Sequence, residues 1–361
     1  MKKRTSAAVL IGGVAIALAA ASPALAAGTW TVVSAQQPAG TTGDGLNAVY
    51  TASPTEAFAV GYNRPAPDSN GFNALIEEWN GSAWSIVQGA NVGPVTATTR
   101  LYGVSGSGPD DVWAVGDGVS SSQIQHWNGT SWSLVPSPAN EPQSTQLYDV
   151  SADSPTDAWA GGLGSNGSVF GPVIEHWNGT SWTVVPDAAP SRNEICAIDA
   201  ISPTDVWAAA VPYTGRDRTG TMEHWNGTQW SVVTMPTTGI IDGISGASAN
   251  DVWAVGQDGM TDQWNGTQWT QVTNPDGGVN LAAVDALSAN DVWTISNGGS
   301  VTMQWNGTQW NSVPPASNLD GFIAGTLSID TGGALSGVAG GPMFAVGDGN
   351  TGLVTLEQPQ P

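Results

Sequence analysis

Three histidines, one cysteine, eight basic and 30 acidic residues in 361 positions bound the chemistry this chain can do. His126, His176 and His224 each stand one residue before a tryptophan (Trp127, Trp177, Trp225). Gathered on one ion, three histidines would make a metal centre. Here they fill one position of a repeat, where Glu78, Gln263 and Gln304 stand in other copies. Equivalent positions of separate repeats lie far apart, so these histidines read as polar hydrogen-bonding positions between repeat units, and no metal or cofactor is expected. Asp111, Asp157, Asp205, Asp251 and Asp291 repeat as well, four of them after Ser-Pro-Thr or Ser-Ala-Asn. That is turn chemistry, in which a short acceptor satisfies backbone N–H groups. A catalytic carboxylate pair would break the repetition, and these do not; no catalytic residue is assigned. Cys196, between Ile195 and Ala197, reads as a small core residue that has no partner for an intrachain disulfide.

The positive charges break the symmetry. Lys2, Lys3 and Arg4 lie at the N-terminus, which leaves five arginines against 30 acids, a net −25. Such a surface repels phosphate backbones and anionic head groups, so nucleic acid and membrane are excluded as partners. All five arginines (Arg64, Arg100, Arg192, Arg216 and Arg218) fall in segments between apolar runs, as do Tyr62 and Tyr213. An arginine offers a planar fork for carboxylate or polyol oxygens and stacks on rings. These seven residues are the candidate ligand-binding set. The plainer reading is that the arginines tie long loops to nearby acids.

Repeats must position these groups. Six W-N-G-[ST]-x-W hairpins begin at Trp79, Trp127, Trp177, Trp225, Trp264 and Trp305, each preceded by a D-V-W-A-V-G-like run and a shorter L-x-x-V-S-like run. The runs are short, rich in Val, Ile and Trp, and bounded by Gly, Pro, Asn or Asp, which is strand grammar. Asn-Gly predicts a two-residue type I′ hairpin, pairing Trp127 with Thr130. Each repeat thus reads as a four-stranded antiparallel meander, with strands A, B, C and D running outward. Near the C-terminus, Pro342–Gly347 repeats strand B and Leu353–Glu357 can serve as strand C, while Gly28–Val33 is an orphan strand D. The expected fold is an all-β, seven-bladed β-propeller, monomeric and closed by the N-terminal strand completing the last blade. All 18 tryptophans sit at repeat positions. The strand-B and strand-C sets read as packing between blades, and the outermost strand-D set as the one that could be exposed and line repeated grooves. B–C and D–A connections emerge on one face of such a propeller, and all five arginines belong to it.

Residues 1–26 read as a signal peptide, with a basic start, an apolar stretch from Ala7 to Ala21 and an Ala24-Leu25-Ala26 cleavage site. Residues 27–361 then form one domain, secreted and extracellular. The repeats resemble the D-V-W-A-V-G … H-W-N-G-T-x-W units of secreted bacterial, actinobacterial-type propeller proteins, and are loosely similar to kelch and galactose-oxidase-like propellers. The resemblance covers the mature chain and implies the fold, not one function. The Gly-Gly pair of kelch blades and the Gly-His and Trp-Asp landmarks of WD repeats are missing. Three function classes follow. The first is a non-catalytic binding module that recognises a glycan or cell-surface polymer through the B–C/D–A loop face. The second is a protein-interaction scaffold or lectin-like targeting subunit of a secreted complex such as a toxin particle. The third is a glycosidase or lyase with its site over the central channel.

Overall fold

The computed structural model describes residues 30–65, 71–90, 98–118, 121–138, 144–165, 170–190, 193–213, 219–297, 299–314, 334–337, 342–349 and 352–358. The leader assigned to residues 1–26 lies outside them. After β1 (Thr31–Ser34), blade 1 comprises β2 (Thr41–Ser53), β3 (Glu56–Pro65), β4 (Asn73–Trp79) and β5 (Trp84–Ile86). Blade 2 is β6 (Arg100–Gly108), β7 (Asp111–Asp117), β8 (Ser122–Trp127) and β9 (Trp132–Leu134); blade 3 is β10 (Ser144–Ser154), β11 (Asp157–Ser165), β12 (Phe170–Trp177) and β13 (Trp182–Val185). Blade 4 follows as β14 (Asn193–Ser202), β15 (Asp205–Pro212), β16 (Thr221–Trp225) and β17 (Trp230–Val233). Blade 5 holds β18 (Ile241–Ser248), β19 (Asp251–Gly256), β20 (Thr261–Trp264) and β21 (Trp269–Gln271). Blade 6 holds β22 (Leu281–Ser288), β23 (Asp291–Ser296), β24 (Thr302–Trp305) and β25 (Trp310–Val313). Last come β26 (Ala334–Gly337), β27 (Met343–Gly349) and β28 (Gly352–Gln358).

The expectation of seven blades is corrected to six: six sheets are full copies of the repeat, each a meander of four consecutive strands. The remaining sheet is a composite, ordered β1-β28-β27-β26. Only β27 and β28 reach seven residues in it, and its inner strand β26 has four where the six blades have eight to thirteen. It holds no W-N-G hairpin, and Phe344 takes the place of the strand-B tryptophan. The physical reason is that its outer strand comes from the other end of the chain, with Thr31 opposite Glu357 and Ser34 opposite Val354. No hairpin is needed where the chain does not turn.

Aromatic side chains hold the blades together. At the junctions the strand-B ring of one blade meets the strand-C and strand-D tryptophans of the next, except between blade 6 and the composite sheet: Trp113 lies 4.9 Å from Trp177 and 5.1 Å from Trp182. Trp159, Trp207 and Trp253 repeat the arrangement with the blades that follow them. Phe344 packs on Trp79 and Trp84, and Trp293 meets Trp30 edge-on at 6.1 Å. Every strand-D tryptophan is buried, from 2% exposed at Trp30 to 7% at Trp132. The idea that this set lines exposed grooves is therefore corrected; outer strands have a face toward the preceding blade, and these rings fill it. The partly exposed set is in strand C, where Trp127, Trp177, Trp225 and Trp264 donate their indole N–H to backbone oxygens in the A–B turn.

Polar contacts circle the channel. The residue after the strand-A valine or isoleucine accepts a backbone N–H from the next sheet: Ser105 from Ala152, Ser151 from Ala200, Asp199 from Gly246, Ser245 from Ala286 and Asp285 from Gly337. Ser336 then accepts from Thr51, which joins the composite sheet to blade 1.

The hairpins differ from the two-residue expectation. Trp127 pairs with Trp132 and His126 with Ser133, so four residues make the loop. One position alone has positive φ, Gly129 at 85°, whereas a type I′ turn needs two. Asn128 Oδ1 supplies the missing organisation, accepting from the backbone N–H groups of Thr130 and Ser131 and from the Thr130 hydroxyl at 2.8–3.1 Å.

Candidate functional site on the B–C/D–A face

The repeated histidines belong to their own blades. His126 Nε2 lies 2.6 Å from Asp111 Oδ1, His176 2.5 Å from Asp157 and His224 2.7 Å from Asp205. Each ring also lies against the strand-B tryptophan of that blade, at 4.1–4.2 Å between centroids. The histidines thus bond within their own blades and not between units, and Asp111 accepts from the Ser107 backbone N–H of the turn as well as from the His126 and Ser107 side chains. Gln263 and Gln304 donate to Asp251 and Asp291 in the same way. Burial pushes the Asp111 carboxyl up, but hydrogen bonds from His126 and Ser107 outweigh it and hold it below its ordinary value. Among the described residues no cluster of three His, Cys, Asp or Glu side chains could hold a metal ion.

The opposite face is uneven, and strand length decides its shape. In blade 1, β3 continues four residues past Gly61, and β11 in blade 3 continues three past Gly162; in blade 2, β7 continues only one past Gly116. At about 3.3 Å per residue, blades 1 and 3 stand roughly 10 Å and 7 Å higher than blade 2 between them. The result is a saddle over blade 2. Its blade-1 wall is a paired ladder, with Arg64 opposite Gly43 and Asn63 opposite Asn73. Its blade-3 wall pairs Ser165 with both Ser144 and Phe170. In the B–C segments of blades 1 and 3, residues 62–65 and 163–165 are therefore strand.

A network of rings and polar groups spans the saddle. The Arg64 guanidinium carbon lies 4.6 Å from the centre of the Phe72 ring and that of Arg100 4.1 Å from it. Arg100 also lies 5.8 Å from the Tyr62 ring, and Tyr62 meets Phe72 edge-on at 5.1 Å. From Arg100 the network crosses the floor: its Nη1 donates to the Tyr102 hydroxyl, which donates to Asp117, both at 3.3 Å. Asp117 also accepts the Arg100 backbone N–H at 2.9 Å. Tyr102 meets Tyr148 of blade 3 at 5.8 Å, and the Tyr148 hydroxyl donates to Gln146.

Two devices set this floor. Every inner strand of the six blades has a bulge near its start, with register slipping past Asn47, Tyr102, Tyr148, Cys196, Asp242 and Ala282. A bulge re-aims the extra side chain, and one repeat position yields five kinds of side chain in six blades. In four blades the strand-B residue opposite is glycine, and a Cβ at Gly61, Gly116, Gly162 or Gly256 would collide with the inner-strand carbonyl; Ala210 and Ser296 take that place in the other two. The second device is a buried acid or amide two residues before the strand-C tryptophan. Glu77 accepts from the Gln36 N–H, Gln125 from Ala90, Glu175 from the Ser137 hydroxyl, Glu223 from Ala188 and Asp262 from Thr237. Each holds down the D–A connection entering its blade. Burial pushes the Glu77 and Glu223 carboxyls up to about 7.

Of the seven candidate residues, Tyr62, Arg64 and Arg100 meet in this network. Tyr213 lies over blade 4, 5.4 Å from Phe170, and belongs to a second ring pair. Arg192, Arg216 and Arg218 fall outside the described residues. Sequence reasoning missed Phe72, Tyr102 and Tyr148; the signal was the two tyrosines at one repeat position where other copies hold Asn, Cys, Asp or Ala. Cys196, read as a small core residue, packs against the cluster of Ala197, Trp207 and Met222 from a bulge position, its thiol 3.4 and 3.2 Å from the Ala209 and Ile241 carbonyls and pushed well up by burial.

No protein-family model and no curated protein matches the chain. Solved structures do. A structure of YCF48 bound to D1 peptide is 16% identical and superposes with a TM-score of 0.61, covering 94% of this chain and 99% of that one. The RRP9 WD40 repeats are 13% identical at a TM-score of 0.62, with 93% of this chain and 100% of that one covered. A streptogramin B lyase is 12% identical at 0.63, with 91% and 97% covered. At such identities the likeness speaks for architecture alone: the chain has a β-propeller fold.

Proposed function

We propose that this protein is a secreted, non-catalytic binding module that engages a glycan or cell-surface polymer through the saddle over blade 2. The observation that carries this reading is the asymmetry of one face. Six blades repeat their packing residues closely, yet strand heights and bulge side chains differ blade by blade on the B–C/D–A side. Packing does not require that variation, and binding residues concentrate on such variable segments of a rigid scaffold. Tyr62, Phe72, Tyr102 and Tyr148 bring rings, and Arg64 and Arg100 bring donors, to one place on an otherwise acidic chain. The secretory leader read in residues 1–26 supports a ligand outside the cell.

A protein partner is the second reading. Phe170, 43% exposed beside Tyr213, would serve as a ring anchor of the kind protein interfaces use, and a propeller of like architecture, YCF48, holds a peptide. The experiment is capture on immobilised protein from a mixture of cell-surface polysaccharides and secreted proteins. Retained polysaccharide, lost with Tyr102→Ala but kept with Asn128→Ala on the hairpin face, supports the first reading. A stoichiometric protein with no polysaccharide supports the second and overturns the first.

A further inference from the structure

We propose that Glu77 and Glu223 are proton-operated latches, which hold the D–A connections entering blades 1 and 4 closed in mild acid and release them as pH rises. Both connections lie on the B–C/D–A face, so the latches set how ordered that face is, whichever ligand it takes. Each carboxyl sits on strand C and is 0% exposed. Glu77 Oε2 accepts the Gln36 N–H at 3.0 Å, and Glu223 Oε2 accepts the Ala188 N–H at 2.6 Å. The Ala189 N–H is a further donor to Glu223. The second oxygen, Oε1 in both, is buried and meets no donor among the described residues.

The strands on either side are apolar at this point. Glu77 lies between Ala59 and Ile86, and Glu223 between Ala208 and Val232. Directly opposed residues share a sheet face, so Ile86 and Val232, 37% and 55% exposed, stand over the acids on the solvent side. The charges bearing on the two groups are acidic as well, Asp44 on Glu77 and Asp187 on Glu223. A neutral carboxyl suits such a place. A carboxylate does not, because it brings charge to a buried oxygen that has no donor. Lifting the connection lets water reach the group.

The sign follows from the two states. Closed, each carboxyl is pushed up to about 7 by burial; opened, it returns to about 4.3. A value raised in the closed state favours closure fully below the open value, and that advantage is lost as pH climbs to the closed value. The open fraction therefore grows by up to about tenfold per pH unit between the two values and levels off above them. Blade 2 supplies the control. Gln125, also 0% exposed and opposite Leu134, accepts the Ala90 N–H at 2.7 Å in the same place, and an amide does not titrate.

Amide exchange of the full chain, read by NMR at pH 5 and pH 8 as protection factors that divide out the intrinsic rate, tests the latches. Protection of Gln36 and Ala188 should fall by about tenfold or more between the two, while that of Ala90 stays within about twofold. Glu77→Gln should abolish the change at Gln36 and keep it at Ala188, and Glu223→Gln should do the reverse. Gln125 shows that the repeat accepts an amide there, and in each variant the untouched latch reports that the ring is intact. Equal falls at all three amides would mean that the whole ring loosens, and would overturn the proposal. Constant protection at Gln36 and Ala188, or a fall that persists in the glutamine variants, would overturn it too.

Discussion

Trp30→Ala tests whether the ring depends on the strand its N-terminal part contributes. Trp30 is 2% exposed and packs edge-on against Trp293, the strand-B ring of blade 6, with Ile295, Val313 and Met343 in the same cluster. This junction has one tryptophan pair where the others have three rings, so no neighbouring ring takes over. Truncating a large buried aromatic costs about 3–5 kcal/mol. Unfolding entropy near 2.1 cal/mol/K per residue gives roughly 0.7 kcal/mol/K for roughly 330 residues, so Tm should fall by roughly 4–7 °C. Differential scanning calorimetry reads it, with Trp127→Ala, a partly exposed strand-C ring, as the comparison expected to fall less. A Tm within about 1 °C of wild type would mean that β1 is dispensable and the composite sheet does not secure the ring.

Other outcomes follow from the repeat. His126→Gln should cost less than about 1 kcal/mol in chemical denaturation, because Gln263 and Gln304 already make the same bond to their aspartates at 2.7 and 2.8 Å, whereas Asp111→Ala leaves His126 and Ser107 without their acceptor and should cost about 1–3 kcal/mol. Burial pushes Asp149 and Asp285 up to about 7 and Asp199 up to about 6. Their folded values exceed the unfolded one near 4, so the unfolded chain loses protons first, and Tm should fall as pH rises from 4 to 7. Asp285→Ser, the residue other blades use, should flatten that profile. Gly129→Ala should destabilise by about 1–2 kcal/mol without touching ligand binding, since φ is 85° there.

Strand order, blade boundaries and packing tryptophans were legible because each is written six times, and a signal repeated at fixed spacing survives local ambiguity. The last sheet was harder for the same reason. With β26 only four residues long and Phe344 in a tryptophan's place, little of the pattern remains to be matched. Hairpin register escaped because Asn-Gly is shared by two-residue and longer loops, and the Asn128 side chain, not a second positive φ, organises this one. Half of the saddle network could be named from composition: Arg64, Arg100 and Tyr62 stood out as rare residues on a variable face. Tyr102 and Tyr148 did not, because a strand reading gives alternate faces, and a bulge that turns one residue aside leaves no mark in spacing. Phe72 gains its place only from the height of blade 1, a property of pairing and not of any residue.

Hydrogen–deuterium exchange with and without captured polymer tests the central claim most directly. Binding at the saddle should protect amides in 61–65, 72–75, 100–103 and 146–149 and leave the six W-N-G hairpins at their free rates. Protection of the hairpins, with the saddle segments unchanged, would place the ligand on the other face and contradict the account.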